Sequence, residues 1–162
     1  MLGGVIMRGI TSHKSFYPPR KQLTIAVDFD GTIALGSWPD VHQGKLNLPV
    51  YDWLIKRQKK GDRIILWTCR ENYGGRQFPD GEYLNDAIQF CNRNRLFLSN
   101  VNRNIGEAPG EYLEGSRNYG RKICADVYID DHSVPFSPDS RLAGLWWKIY
   151  FWLMDRKLAR KR

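Results

Sequence analysis

Four short apolar runs alternate with helical patterns, and this alternation constrains the fold of the chain more than any other feature. The runs are rich in Ile, Val and Leu and are short, which is typical of strands buried on both faces. Between them, apolar residues recur at intervals of three and four, the spacing of amphipathic helices. The predicted strands are 22–29, 63–68, 96–101 and 123–129, and the predicted helices are 49–60, 81–95 and a C-terminal helix from 139 onward. This order predicts an α/β fold with a parallel sheet covered by helices on both faces.

The 162 residues fit one domain in which three regions differ in composition. Residues 1–21 are expected to form an irregular lead-in, 22–137 the core, and 138–162 an aromatic and basic helix that packs on the core. No apolar run reaches the roughly 20 residues that cross a bilayer, so we do not expect an integral membrane protein. The first 20 residues lack the pattern of a secretory signal, and the three cysteines lie far apart. We therefore expect a protein of the reducing cytoplasm.

The positive charge of the chain belongs to its two ends. The formal net charge is +8, of which residues 1–22 contribute +4 and residues 141–162 contribute +6. The middle of the chain, 23–140, carries a net charge of −2. The basic ends suggest nucleic acid or an anionic surface as a partner, whereas a site in the middle has carboxylates to spare.

Carboxylates follow the first and the fourth predicted strands. Asp28 and Asp30 stand at the exit of the first strand, and Asp130 and Asp131 at the exit of the fourth. In parallel sheets, ligands bind at the carboxyl ends of the strands, so these four side chains are expected to converge. Oxygen ligands in such a number favour a hard divalent cation, and we predict magnesium (Mg²⁺).

Three segments at predicted strand ends resemble the motifs of the haloacid dehalogenase-like (HAD) phosphohydrolases, in the order of that family. They are Asp28-Phe29-Asp30-Gly31-Thr32-Ile33, Leu66-Trp67-Thr68-Cys69-Arg70 and Val127-Tyr128-Ile129-Asp130-Asp131. The resemblance covers about 22–137. It implies a Rossmann-like (HAD-like) three-layer sandwich with a central, mostly parallel sheet, and a phosphatase that forms an aspartyl-phosphate on a phosphorylated substrate.

The resemblance also implies a role for each matching residue. Asp28 would be the nucleophile and Asp30 the general acid and base, and the presence of Asp30 argues for phosphoryl transfer rather than dehalogenation. Thr68 and the neighbouring amide of Cys69 would bind the phosphoryl group. The implied metal ligands are Asp28, the Asp30 carbonyl, Asp130 and, through a water molecule, Asp131. The alternatives are acids that cap turns, a structural hydroxyl at Thr68, and an exposed acid at Asp131.

The basic residue of the family's third motif has no single match in this sequence. Lys122 lies eight residues before Asp130. One continuous strand would separate the two by roughly 25 Å, at about 3.3 Å per residue. Lys122 can contribute only if the strand is short and the preceding chain folds back. Arg103 follows the third predicted strand at its carboxyl end, and Arg70, just after Thr68 in the second motif, is another candidate. Arg103 and Lys122 are both candidate phosphate-binding residues, with a solvated surface position as the alternative for each.

The segments between the motifs are too short for the cap domain that many members of the family carry. Only 16 residues separate Thr32 from Pro49. We therefore expect no cap domain and an open site for a phosphomonoester. Two alternatives stay open: a phosphatase for nucleotides or nucleic-acid ends, recruited by the basic termini, and a binding protein without catalysis.

The C-terminal segment combines five aromatic residues in a row of seven with a basic end. One interpretation is an interfacial helix on a membrane surface, and another is a nucleic-acid surface. The interpretation adopted is a helix that packs on the sheet, because apolar residues recur at helical spacing. Those residues are Leu142, Leu145, Trp146, Ile149, Tyr150 and Leu153. Trp147, Phe151 and Trp152 fall partly outside this stripe and form a candidate surface for a homo-oligomer.

Overall fold

The computed structural model describes residues 21–36, 44–73, 81–106, 123–135 and 141–160. Within these ranges the chain forms eight short strands and three α-helices. In chain order they are β1 (Thr24–Val27), β2 (Ala34–Leu35), β3 (Lys45–Leu46), α1 (Leu48–Lys59), β4 (Arg63–Leu66), β5 (Asn72–Tyr73), β6 (Gly81–Glu82), α2 (Tyr83–Arg93), β7 (Asn100–Val101), β8 (Val127–Ile129) and α3 (Ala143–Arg160). A single 3₁₀ turn, Asp131–Ser133, follows β8.

The central sheet has four parallel strands in the spatial order β7-β4-β1-β8. This arrangement confirms the predicted α/β class and the parallel pairing. The chain moves from β1 to β4 to β7 and then returns to place β8 on the other side of β1. The strand order therefore reverses between β1 and β8, which is where open parallel sheets bind their ligands.

The alternation of side chains along β1 separates two apolar clusters. Ile25 and Val27 face a large cluster that includes the buried residues of α1, α2 and α3. Ala26 faces the other side, where a smaller cluster contains Ile65 and Ile123. Within the described ranges all three helices thus cover one face of the sheet. A helical layer on the second face stays a prediction.

The helices between the first three strands of the sheet begin and end close to the predicted bounds. In α1, Val50, Trp53 and Leu54 are buried against the sheet, as their spacing predicts. The helix ends before Gly61, whose φ of +79° is the left-handed conformation that glycine adopts at little cost. At the start of α2, the side-chain oxygen of Asn72 accepts hydrogen bonds from the backbone of two helix residues. They are Leu84 and Asn85.

The third and fourth strands, β7 and β8, are shorter than predicted. The position of Ile123 explains why β8 is short. Ile123 belongs to no strand; its side chain is buried on the second face of the sheet, beside Ala26 and Ile65. The Tyr128 hydroxyl donates a hydrogen bond to the Ile123 carbonyl, which holds this bend. Residues 123–126 therefore do not extend the strand, and Ile123 lies over the second face of the sheet.

Two antiparallel pairs of two-residue strands accompany the central sheet. β2 pairs with β3 in a region for which the sequence predicts only loop, and β5 pairs with β6 before α2. Two-residue pairings carry no detectable alternation of polarity, which explains why the sequence does not predict them.

The helix α3 packs on the core through the face opposite to the predicted one. Trp147 and Phe151 are buried, and the Phe151 ring stacks on Trp53 of α1 with ring centroids 4.7 Å apart. Five of the six residues of the predicted packing stripe are exposed instead: Leu142, Leu145, Trp146, Ile149 and Leu153. Both faces carry apolar residues at helical spacing, so periodicity alone selects neither. The stacking of Phe151 on Trp53 favours the orientation of α3 that the structure shows.

Among the described helices, none is long and apolar enough to cross a membrane.

Candidate active site

A backbone hydrogen bond links the carboxyl ends of β1 and β8, the two strands between which the strand order reverses. Asp28 follows the last residue of β1, and its backbone N–H donates to the carbonyl of Ile129, the last residue of β8, at 2.9 Å. Asp130 follows Ile129. The two acidic segments that the sequence predicts to converge therefore lie side by side at the carboxyl edge of the sheet.

Asp28 is the carboxylate with the most strongly perturbed environment at this edge. Burial raises its pKa from 3.8 to about 7. Hydrogen bonds from the Phe29 backbone and the Thr32 hydroxyl act in the opposite direction, and the charges of Asp130 and Asp131 raise the pKa further. Burial and neighbouring acids thus oppose the ionisation of Asp28. Perturbed acids of this kind cluster at functional sites.

Thr32 connects the two acidic segments through its hydroxyl. The side chain is fully buried, and its oxygen accepts a hydrogen bond from the backbone N–H of Asp131 at 2.9 Å. The same hydroxyl stabilises the charged form of the Asp28 carboxylate by a hydrogen bond. In the sequence, Thr32 is only one residue of the first motif, with nothing to link it to Asp131. The bond to a segment almost 100 residues away follows from the strand order.

The Asp131 carboxylate lies so close to the Gly31 backbone that position 31 has no room for a side chain. Gly31 has a φ of +71°, and a Cβ at this position would lie 2.3 Å from the Oδ2 atom of Asp131. The other oxygen of Asp131, Oδ1, is buried and accepts no hydrogen bond within the described residues, and Nε2 of His132 lies 3.9 Å from it. Burial raises the pKa of Asp131. This carboxylate is held in place by contact, while one of its acceptor atoms stays unsatisfied.

Asp30 points to the opposite side of β1 and is held by Arg70. The Nε and Nη2 atoms of Arg70 donate to the two oxygens of Asp30 at 2.8 and 2.6 Å. Only 2% of the Arg70 side chain is exposed, and its guanidinium carbon lies 5.1 Å from the centroid of the Phe29 ring. The bidentate pair occupies both oxygens of the residue that the resemblance assigns to proton transfer.

Thr68 lies at the exit of β4, beside β1, as the second motif predicts. Its backbone N–H donates to the side-chain oxygen of Asn102, and the Asn102 amide donates to the Thr68 carbonyl, both at 2.9 Å. The Thr68 hydroxyl accepts a bond from the Arg70 backbone N–H at 3.2 Å. The Cys69 side chain is exposed. The sequence analysis missed Asn102, for which the signal is a polar residue directly after a strand; its φ of +49° suits asparagine.

Of the candidate cations, Arg70 is the one that the described residues bring to the first motif. Arg103 follows β7, and β4 separates β7 from β1. Two strand spacings place those exits about 10 Å apart. Lys122 lies outside the described residues. The distance argument against Lys122 assumes an extended strand, and that assumption is wrong because Ile123 lies over the face of the sheet.

The oxygen ligands at the carboxyl ends of β1 and β8 suit a hard cation, although the carboxylates are not grouped as a complete metal site. Within the described part of the chain, no three acidic, histidine or cysteine side chains are grouped closely enough to hold a metal ion together. Mg²⁺ does not require such a group, because it usually takes one or two carboxylates and keeps several waters. The unsatisfied oxygen of Asp131 and the mutual repulsion with Asp28 and Asp130 fit a cation or its water ligands.

The sequence matches no protein-family model and no curated protein. Among solved structures, a conserved protein from Bacteroides thetaiotaomicron is 31% identical to this chain, with a TM-score of 0.60. The similarity covers 85% of this chain and 93% of the Bacteroides protein. The chain belongs to the family of this Bacteroides protein. The relative is described as a conserved protein, without an activity, so membership in the Bacteroides family supports the fold and leaves the reaction to be inferred from the site.

Proposed function

We propose that the chain is a Mg²⁺-dependent phosphohydrolase of the HAD type that acts on a phosphomonoester through an aspartyl-phosphate. The observation that carries the proposal is the Asp28 carboxylate, which is partly buried at the reversal of strand order and faces two further carboxylates. A buried acid that other acids repel destabilises the folded chain, and such strain is typical of a site built for a cation and a substrate. Hydrogen bonds from Phe29 and Thr32 fix its orientation.

The proposed reaction takes place in two displacements at phosphorus. In the first, an oxygen of Asp28 forms a bond to phosphorus, the bond between phosphorus and the leaving oxygen breaks, and that oxygen takes up a proton. In the second, water attacks the same phosphorus, gives up a proton, and releases Asp28 and inorganic phosphate. Mg²⁺, bound by Asp28, Asp130 and the Asp30 carbonyl, with Asp131 through water, would neutralise charge on the phosphoryl oxygens.

Asp30 remains the proposed acid and base, with one condition that the geometry adds. Both of its oxygens accept hydrogen bonds from Arg70, so proton transfer requires that Arg70 give up at least one of them. A phosphoryl group beside Thr68 offers the guanidinium a second set of acceptors. We propose that Arg70 transfers a hydrogen bond from Asp30 to the phosphoryl group when substrate binds, which frees Asp30 and supplies the cation of the third motif.

The three-layer HAD-like architecture without a cap is part of the same proposal. The parallel sheet with its order of strands supports it, as does the placement of the first, second and fourth motifs at the exits of β1, β4 and β8. An open site of this kind suits a phosphoester on a large molecule or on a small one.

The test is hydrolysis of an aryl phosphate with and without Mg²⁺, by the wild-type protein and by Asp28→Asn. Activity is expected to require both the metal and Asp28. The matched control is Asp126→Asn, the same change just before β8 rather than beyond its end, which should leave turnover unchanged. An Asp28→Asn protein that kept full Mg²⁺-dependent turnover would overturn the proposal.

One observation favours a second candidate, a binding protein that retains the fold without turnover. The bidentate contact between Asp30 and Arg70 has the geometry of a stable ion pair, which would leave no group for proton transfer. A binding protein would be stabilised by Mg²⁺ and phosphate in thermal unfolding but would hydrolyse no phosphoester.

A nucleic-acid-end phosphatase would instead act on phosphorylated oligonucleotides with a rate that falls steeply as salt is added.

A further inference from the structure

The outward face of α3 carries a row of exposed large apolar side chains. They are Leu142, Leu145, Trp146, Ile149, Trp152 and Leu153. At 100° per residue these positions fall on one side of the helix, opposite the buried Trp147 and Phe151. A contiguous exposed apolar surface of this kind marks an interaction site rather than ordinary surface composition.

The last two turns of the helix add positive charge to the same face. Arg156, Lys157 and Arg160 line a shallow recess of about 310 Å³ together with Leu153. The guanidinium of Arg156 lies over the ring of Trp152, 4.6 Å from its centroid. The cationic recess is therefore continuous with the apolar row.

The single acid of α3 is turned away from this face. Asp155 accepts a hydrogen bond from the indole N–H of Trp53 at 3.2 Å and lies 3.5 Å from Nη1 of Arg57, both on α1. The described outward face of α3 thus presents apolar and cationic groups together, with no carboxylate among them. Its partner must be apolar in part and anionic in part.

We propose that the outward face of α3 docks on the surface of an anionic phospholipid bilayer. The inward face stays packed on the core, so the helix lies along the surface and inserts its exposed tryptophan and leucine side chains at the level of the headgroups. The recess formed by Arg156, Lys157 and Arg160 receives a lipid phosphate. A second copy of the chain fits less well, because both partners would bring a cationic recess and a net charge of +8. This inference does not depend on the proposed phosphatase activity.

The test is sedimentation of the full chain with vesicles of phosphatidylcholine alone or mixed with phosphatidylserine. The wild-type protein should bind the mixed vesicles far better. Replacing Arg156 and Arg160 by Ala should lower that binding about 25-fold, since each basic residue near an anionic surface contributes about a factor of five. Replacing Trp152 and Leu153 by Ser should lower binding about tenfold, because their half-exposed apolar surface is lost.

Matched controls lie on the other flank of α1, where α2 ends. Arg93→Ala with Arg95→Ala removes two exposed charges, and Phe97→Ser removes an exposed apolar side chain. Neither control should change vesicle binding. All altered positions are exposed, and thermal unfolding in parallel verifies that each variant is folded.

Three results would overturn the proposal. The first is equal binding of both vesicle types, or of neither. The second is a concentration-dependent dimer that the Trp152 and Leu153 changes abolish, which would assign the face to self-association. The third is binding of a DNA oligonucleotide through Arg156 and Arg160 without vesicle binding, which would assign the face to nucleic acid.

Discussion

Asp28 and Asp30 stand two residues apart just after β1, yet they lie in opposite electrostatic surroundings. On the β4 side, Arg70 holds both oxygens of Asp30. On the β8 side, burial and the charges of Asp130 and Asp131 all oppose ionisation of Asp28. The charge of Asp30 is paired with Arg70 within the protein, and under the proposed function the charge of Asp28 would be paired with Mg²⁺. The contrast separates a carboxylate whose charge is paired within the protein from one that burial and neighbouring acids keep from ionising.

The contrast is sharpest in the pH dependence of stability. The pKa of Asp28 is raised from 3.8 to about 7 in the folded chain. The neutral form of Asp28 therefore contributes to the free energy of unfolding. This contribution is fully present below pH 3.8 and is lost as the pH rises through 7, at about 1.4 kcal/mol per pH unit and about 4 kcal/mol in all. Asp28→Asn should remove this loss, so that the variant is more stable than wild type at pH 8 and similar at low pH.

Urea unfolding in the presence of a chelator measures this difference at each pH. Titrating groups far from Asp28 cancel when the wild-type curve is subtracted from that of Asp28→Asn, so the difference reports Asp28 together with the two acids coupled to it, Asp130 and Asp131. A difference that does not change between pH 4 and pH 8 would contradict the raised pKa. The same variant serves the activity test, because an inactive protein that is also more stable has not lost activity through unfolding.

Removal of the carboxylate on the β4 side should have the opposite sign. Asp30→Ala takes away the carboxylate that faces a guanidinium with 2% exposure, and loss of one member of such a pair costs about 3 kcal/mol. The exposed pair of Lys21 and Asp126 provides the control, since Lys21→Ala should cost at most about 1 kcal/mol. Chemical unfolding at pH 8 compares both. If Asp30→Ala stabilised the chain as Asp28→Asn does, the two sides of β1 would not differ as described.

The acidic strand exits could be predicted from the sequence, because each follows an apolar run and the parallel order brings the exits together. This reasoning predicts that Asp28, Asp30 and Asp130 lie at one edge of the sheet. The ion pair between Asp30 and Arg70 could not be predicted, because no neighbouring residue in the sequence indicates that the Asp30 side chain turns toward Arg70. Long-range bonds such as the one from Asp131 to Thr32 depend on which strands are neighbours.

The orientation of α3 shows a second limit of sequence patterns. Two apolar stripes run along the helix, and hydrophobic periodicity favours the one with more aliphatic residues. The structure buries the other, because Phe151 stacks on Trp53 and Asp155 reaches Trp53 and Arg57. These contacts join residues about 100 positions apart. Whole-chain packing, rather than local pattern, therefore decided which face is left exposed.

The close approach of Gly31 to Asp131 offers a smaller test of the β8 side. Gly31→Ala places a methyl group where the Asp131 carboxylate lies and puts alanine at a φ of +71°. The left-handed backbone alone costs about 1 kcal/mol, and displacement of Asp131 should bring the loss to about 2 kcal/mol. Gly61→Ala is the control, because its φ is +79° but nothing lies within 4 Å of the new methyl group. Equal losses in the two variants would mean that the contact with Asp131 has no energetic weight.

Thr32→Val should have the smallest effect on stability and a specific effect on Asp28. The change keeps the shape of the buried side chain and leaves the Asp131 N–H without its acceptor, at a cost of about 1.5 kcal/mol. It also removes a hydrogen bond that favours the charged form of Asp28, so the pKa of Asp28 should rise above its wild-type value of about 7. Carboxyl chemical shifts followed by NMR across the pH range report this pKa directly. Thr32→Ser keeps the hydroxyl and should restore it, whereas an unchanged pKa in Thr32→Val would show that the hydroxyl does not reach Asp28. Because only the β8 side depends on Thr32, the ion pair of Asp30 with Arg70 should be unaffected in either variant.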